Sequence, residues 1–183
     1  ALAQQMLMPY EQALQQKPAG YEAFAPLVGI YQIAINTRLA IAKGSLSNRK
    51  QAVVRGAQQL MTIADKYRVP KTDNEDRLAG QALIEAGRLY QLDEDVLSAQ
   101  ETLTRVNRLQ DKTNKAKALF VRGELYRRLH DSASVTSVFV QVIHLFGEQS
   151  DWGKRAINQA IRETEQSLDE QHQSVQHKVA ELF

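Results

Sequence analysis

At 183 residues, with 43% hydrophobic and 24% charged side chains, the chain has an ordinary globular composition and room for one core or a short repeat array. Zero cysteines exclude disulfides, thiolate metal sites and a cysteine nucleophile, and four prolines with nine glycines are too few for the turns of an all-β fold. The net charge is only +2 but unevenly placed: residues 101–130 carry eight bases against three acids, and residues 73–100 carry seven acids against two bases.

The first apolar spacing, Leu2, Met6, Tyr10, Ala13 and Leu14, predicts a helix over residues 1–16, interrupted by Pro9 and ended by Lys17-Pro18-Ala19-Gly20. The opening Ala1-Leu2-Ala3 has the small-x-small form of a signal-peptidase site. A long helix follows over residues 21–43. Gln32, Asn36 and Arg38 interrupt its apolar run at 24–42, so no membrane span of roughly 20 residues is expected. Gly44-Ser45 closes it, and Ser47 or Asn48 is the expected next cap. Val53, Val54, Ala57, Leu60, Ile63 and Ala64 then form one helical stripe ending before Pro70.

Thr72 and Glu75 have capping-box spacing at the start of a helix reaching Leu92. Asp93-Glu94-Asp95 makes an acidic turn, and further helices are predicted over 96–109, 113–129, 133–146 and 151–182. Short turns between about eight helices imply antiparallel neighbours.

Sliding the chain by 36 residues aligns Leu83 with Leu119, Gly87 with Gly123 and Tyr90 with Tyr126. The same shift aligns Ala99 with Val135, Leu103 with Phe139 and Val106 with Val142. Each unit is therefore a helix carrying Leu-x3-Gly-x2-Tyr, a turn, and a second helix with apolar residues every three or four positions. One such unit cannot bury its stripe alone, so neighbours must stack. The stretch Ala116-Lys117-Ala118-Leu119-Phe120-Val121-Arg122-Gly123-Glu124-Leu125-Tyr126 resembles the first helix of a tetratricopeptide repeat. The ending Val142-Ile143-His144-Leu145-Phe146-Gly147 is similar to that of its second helix, with Gly147 where proline is frequent. The variant is similar to repeats of bacterial envelope proteins.

The resemblance implies an all-α solenoid of antiparallel helix pairs forming a single domain. Its parts are an N-terminal helix at 1–20, a divergent pair at 21–70, repeats at 75–110 and 113–147, and a long capping helix at 150–183. It also implies a non-enzymatic scaffold that holds a protein or peptide in a concave groove, in a periplasmic or cell-envelope setting. Carried onto this chain, the groove face holds Gln81, Ile84, Arg88 and Gln91 in one unit, and Lys117, Phe120, Glu124, Arg127 and Arg128 in the next. Phe120 among Arg88, Lys117 and Arg127 suits a segment of acidic character.

No catalytic constellation, metal site or cofactor motif is expected. His172 and His177 are five apart, off the three- or four-residue spacing of helical ligands, while His130 reads as a turn residue and His144 as a half-buried one. Asp93-Glu94-Asp95 lacks the spacing of a calcium loop. Acidic segments flank the basic stretch from Arg105 to Arg128, which argues against nucleic acid. Ile161, Leu168, Val175 and Leu182 recur every seven residues on the last helix, but Thr164, Gln171 and Lys178 make the other half of that seam polar. Self-association through the distal half of this helix, or its continuation into a further domain, is the alternative to capping and would make the chain an oligomerisation or sensor module of a larger protein; regulatory nucleic-acid binding is the weaker alternative.

Overall fold

The structure is a computed structural model that describes residues 21–180. The helix predicted over residues 1–16 lies outside the described residues, as do the side chains of Val175 and Leu182. Among the described residues there are seven α-helices and no strand: α1 (Tyr21–Lys43), α2 (Leu46–Lys66), α3 (Asp73–Leu92), α4 (Val96–Arg105), α5 (Lys112–Arg128), α6 (Ser132–Phe146) and α7 (Asp151–Ala180). Helices that follow one another pack together, α1 on α2, α2 on α3, α3 on α4, and α6 on α7, an all-α arrangement consistent with an α-solenoid. The chain divides into two compact units between Asn114 and Lys115, within α5.

In the first unit α1 packs on both α2 and α3, α2 packs on α3, and α3 on α4. Ile30 and Ala34 of α1, Val53, Ala57 and Leu60 of α2, Leu83, Ile84 and Leu89 of α3, and Ala99 and Leu103 of α4 form the core. The stripe predicted on α2 is buried at those three positions and Ala64, while Val54 faces outward. Residues 24–43 are long and apolar enough by composition to cross a membrane, even with the polar interruptions. Only 17% of that stretch is buried, yet Ile30 and Ala34 are fully enclosed by the packing of α1 on its neighbours.

Local chemistry sets the ends of these helices. The Thr72 hydroxyl accepts from the Glu75 N–H at 3.2 Å, as the capping-box spacing predicts. The returning Glu75 carboxylate, however, takes the N–H of Lys71, at 2.6 Å, not that of Thr72. Ser45, and not Ser47 or Asn48, is the cap residue of α2. The helix predicted over 96–109 becomes α4 followed by a 3₁₀ turn, Val106–Arg108, after which Leu109 is extended. The buried carboxylate of Asp76 lies beyond that turn and accepts the N–H groups of Gln110 (2.9 Å) and Asp111 (2.6 Å). Those groups, freed where the helix stops, gain a partner from α3 that helix continuation would have denied them.

The second unit has one core cluster, Leu119, Val135, Val138, Phe139, Val142 and Ala156, covered by Phe120, Tyr126, Ile143, Phe146, Trp152 and Ala160. α7 runs for 30 residues, about 45 Å at 1.5 Å per residue. Its first half packs on α6 through Ala156 and Ala160, and Gly153 lies against the Gly147 carbonyl in the turn between the two helices. Beyond Glu163 the described side chains Glu165, Leu168 and Asp169 are exposed.

The 36-residue repeat extends into the turns. Glu94 and His130 both adopt left-handed backbone conformations, with φ of 60° and 56°. Asp95 and Asp131 follow them, each bonded through its N–H to the carbonyl of Tyr90 or Tyr126 at 3.0 Å. Each then caps the next helix, accepting from Ser98 N–H at 3.1 Å and Ser134 N–H at 3.0 Å. Asp95, the last residue of the acidic turn, is thus a helix cap with a carboxylate oxygen bonded to the backbone.

Candidate functional site

The predicted groove residues fall into two different environments, one in each unit. On α3, Ile84 is fully buried and Gln81 and Gln91 are 5% exposed, so these three do not line an open surface. The expectation that they face a partner is corrected by their burial in the first unit, where α1, α2 and α4 all pack on α3. The cause is visible at Glu85, a residue absent from the predicted groove face. Glu85 is 1% exposed on the same helix and receives Arg38 of α1 at 2.7 Å and Arg88 at 2.8 Å. The Gln81 side-chain amide adds a third donor at 3.3 Å. A carboxylate this deep needs charged donors, and two guanidinium groups at the helix rim supply them. The Tyr31 phenol beside this cluster is pushed above its usual range, first by burial, then by the nearby Glu85 charge, with Arg88 acting the other way. The signal that could have found Glu85 is its spacing from Gln81 and Arg88, i−4 and i+3 on one helix face.

In the second unit the predicted residues come together. Phe120, Glu124 and Arg127, successive on one face of α5, line a cleft of about 270 Å³. The opposite wall is α7, which contributes Arg155, Asn158, Gln159 and Arg162. Phe120 is half-buried, its ring tilted against Phe139 at 5.3 Å and Trp152 at 5.5 Å between centroids. Arg155 is exposed and lies over two of these rings, 5.4 Å from the centroid of Phe120 and 5.1 Å from that of Trp152. Stacking orients the guanidinium without consuming its N–H donors.

Arg127 has a different task. It is ion-paired with Glu163, a residue 5% exposed, and donates to the Gln159 side-chain oxygen at 3.0 Å. Its charge is therefore committed to holding α7 against α5. Lys117 is half-buried and Arg128 exposed; neither lines the cleft. The α7 residues escape sequence reasoning because their position, one face of a helix that resembles a cap, gives no sign that α5 lies opposite.

A larger cleft, about 690 Å³, lies on the first unit between α2 and α4. The Asp65–Arg105 ion pair bridges it, and Leu97 stands 79% exposed at its wall. Among the described residues no three His, Asp or Glu side chains converge as metal ligands would, and His144 is exposed and not half-buried as expected. No protein-family model matches the chain, and no curated protein or solved structure matches it significantly.

Proposed function

We propose that this chain is a non-enzymatic adaptor of the tetratricopeptide-repeat kind, working in a bacterial cell envelope, that holds a segment of another protein. The observation that carries this reading is the second-unit cleft. A half-buried aromatic ring, Phe120, forms its floor, and polar and cationic groups of α5 and α7 surround it. An apolar anchor ringed by hydrogen-bonding groups is what a peptide side chain needs for affinity and orientation together. On the first unit Gln81, Ile84 and Gln91 are buried, and Arg88 is already paired with Glu85. The segment therefore docks on α5 and α7.

The test is photo-crosslinking from position 158, where Asn158 faces the cleft, to recover a partner, followed by titration of that purified partner. Phe120→Ala and Glu124→Arg are each expected to weaken binding at least tenfold with the helical signal retained. Unchanged affinity in both variants would remove the cleft as the binding site. Arg127 is unsuitable for this purpose, since changing it strands the buried Glu163.

A further inference from the structure

The exposed face of α7 carries opposite charges on its two halves. Arg155 and Arg162 are seven residues apart, about 10.5 Å along the axis and close to the same angular position. Asp169 continues that line a further seven residues on, with Glu165 on the same side. All four are exposed. Ile161 and Leu168, 50% and 54% exposed, flank Glu165 at i−4 and i+3, and leave an apolar strip beside the charges. The opposite side of the helix, Gly153, Ala156 and Glu163, is the one buried against the rest of its unit.

A helix face that is basic toward its N-terminus and acidic beyond is complementary to itself when reversed. We infer that α7 pairs with α7 of a second copy of this chain, antiparallel, about a two-fold axis passing near Glu163. In that register Arg162 lies opposite the partner's Glu165, and the turn from Arg155 to Asn158 lies opposite the partner's Asp169. The strips of Ile161 and Leu168 meet alongside. The contact is isologous, so each ion pair occurs twice. Like charges would face each other in a parallel pairing, which fixes the direction. The polar positions Thr164, Gln171 and Lys178 speak against a long heptad seam, and this pairing does not require one.

Arg155 is already oriented by the rings of Phe120 and Trp152, which lowers the ordering cost of an intermolecular contact. Arg155 and Arg162 also rim the cleft of the proposed function. Self-pairing and partner capture therefore draw on the same two groups, and a bound partner favours the monomer. The inference goes beyond the adaptor reading and stands without it.

Light scattering on the full chain at low salt and high concentration should give twice the 20.6 kDa of one chain, reverting toward one chain in high salt. The double variant Arg155→Glu/Arg162→Glu should be monomeric, and so should Glu165→Arg/Asp169→Arg, which touches only exposed positions beyond the packed half of α7. An equimolar mixture of the two variants should associate again, because one then presents four acids and the other four bases. A monomeric wild-type chain, a dimer indifferent to both double variants, or a mixture that stays monomeric overturns the pairing. None of these results bears on partner affinity in Phe120→Ala, so the two ideas fail separately.

Discussion

Gly87 of α3 lies against Leu103 of α4, so closely that a Cβ at Gly87 would sit 2.6 Å from the leucine Cγ. Thirty-six residues later Gly123 stands in the same relation to Phe139, with 3.0 Å to the ring Cζ. The missing side chain on the first helix of each pair is filled by a large one from the second. This reciprocal fit makes the two hairpins equivalent in packing as well as in pattern.

Gly87→Ala is expected to destabilise the chain by about 1–3 kcal/mol, because Leu103 is fully buried and has nowhere to move. The gain in helix propensity, about 1 kcal/mol, does not offset this. Gly123→Ala should cost less, since the ring edge needs to retreat by only a few tenths of an ångström. Urea unfolding of the two variants checks the order. A Gly87→Ala protein more stable than wild type would contradict the packing.

The Glu85 cluster should respond non-additively. Arg38→Met or Arg88→Met alone is expected to cost about 0.5–1 kcal/mol, since each guanidinium is more than a third exposed and screened by solvent. Together they leave a carboxylate 2% exposed with Gln81 as its remaining donor, and the loss should reach about 3 kcal/mol. A double-mutant cycle by chemical denaturation measures the coupling. Simple additivity would mean that Glu85 gains other partners when both arginines are gone.

The cap at Asp131 makes a pH prediction with a definite sign. Hydrogen bonds from the Ser134 side chain and backbone hold its carboxyl below the usual 3.8. A group depressed on folding contributes stability that is present above its unfolded value and lost as pH falls through the folded one. The contribution is thus intact above about pH 4 and fades in more acidic solution. Carboxyl titration by NMR should place Asp131 below its value in Ser134→Ala, where the side-chain part of the stabilisation is gone. Identical titration in both proteins would refute the Ser134 side-chain hydrogen bond as a cause.

The helices were legible because each carries its own signal. The 3.6-residue stripe of α2, the Thr72 cap and the Leu-x3-Gly-x2-Tyr units are local features, and the structure keeps them within a residue or two. Packing across the chain was not legible. Gln81, Ile84 and Gln91 look available on a helical wheel and are buried where neighbouring helices pack on α3, because a wheel shows which residues share a face but not what lies against it. The 96–109 segment has helical spacing to its end, yet Asp76, more than thirty residues away, captures the backbone and turns it. At the cleft, sequence selected Phe120, Glu124 and Arg127, but the wall from α7 appears only once Arg127 is seen paired to Glu163.

Sequence by itself determined the helical class, the order of the helices and the 36-residue repeat, since periodicity and capping act over a few residues. Tertiary structure alone decided which side of each helix stays open. That choice rests on contacts between residues some thirty to fifty positions apart, Arg38 with Glu85 and Arg127 with Glu163, where one buried carboxylate must find a cation brought by another helix.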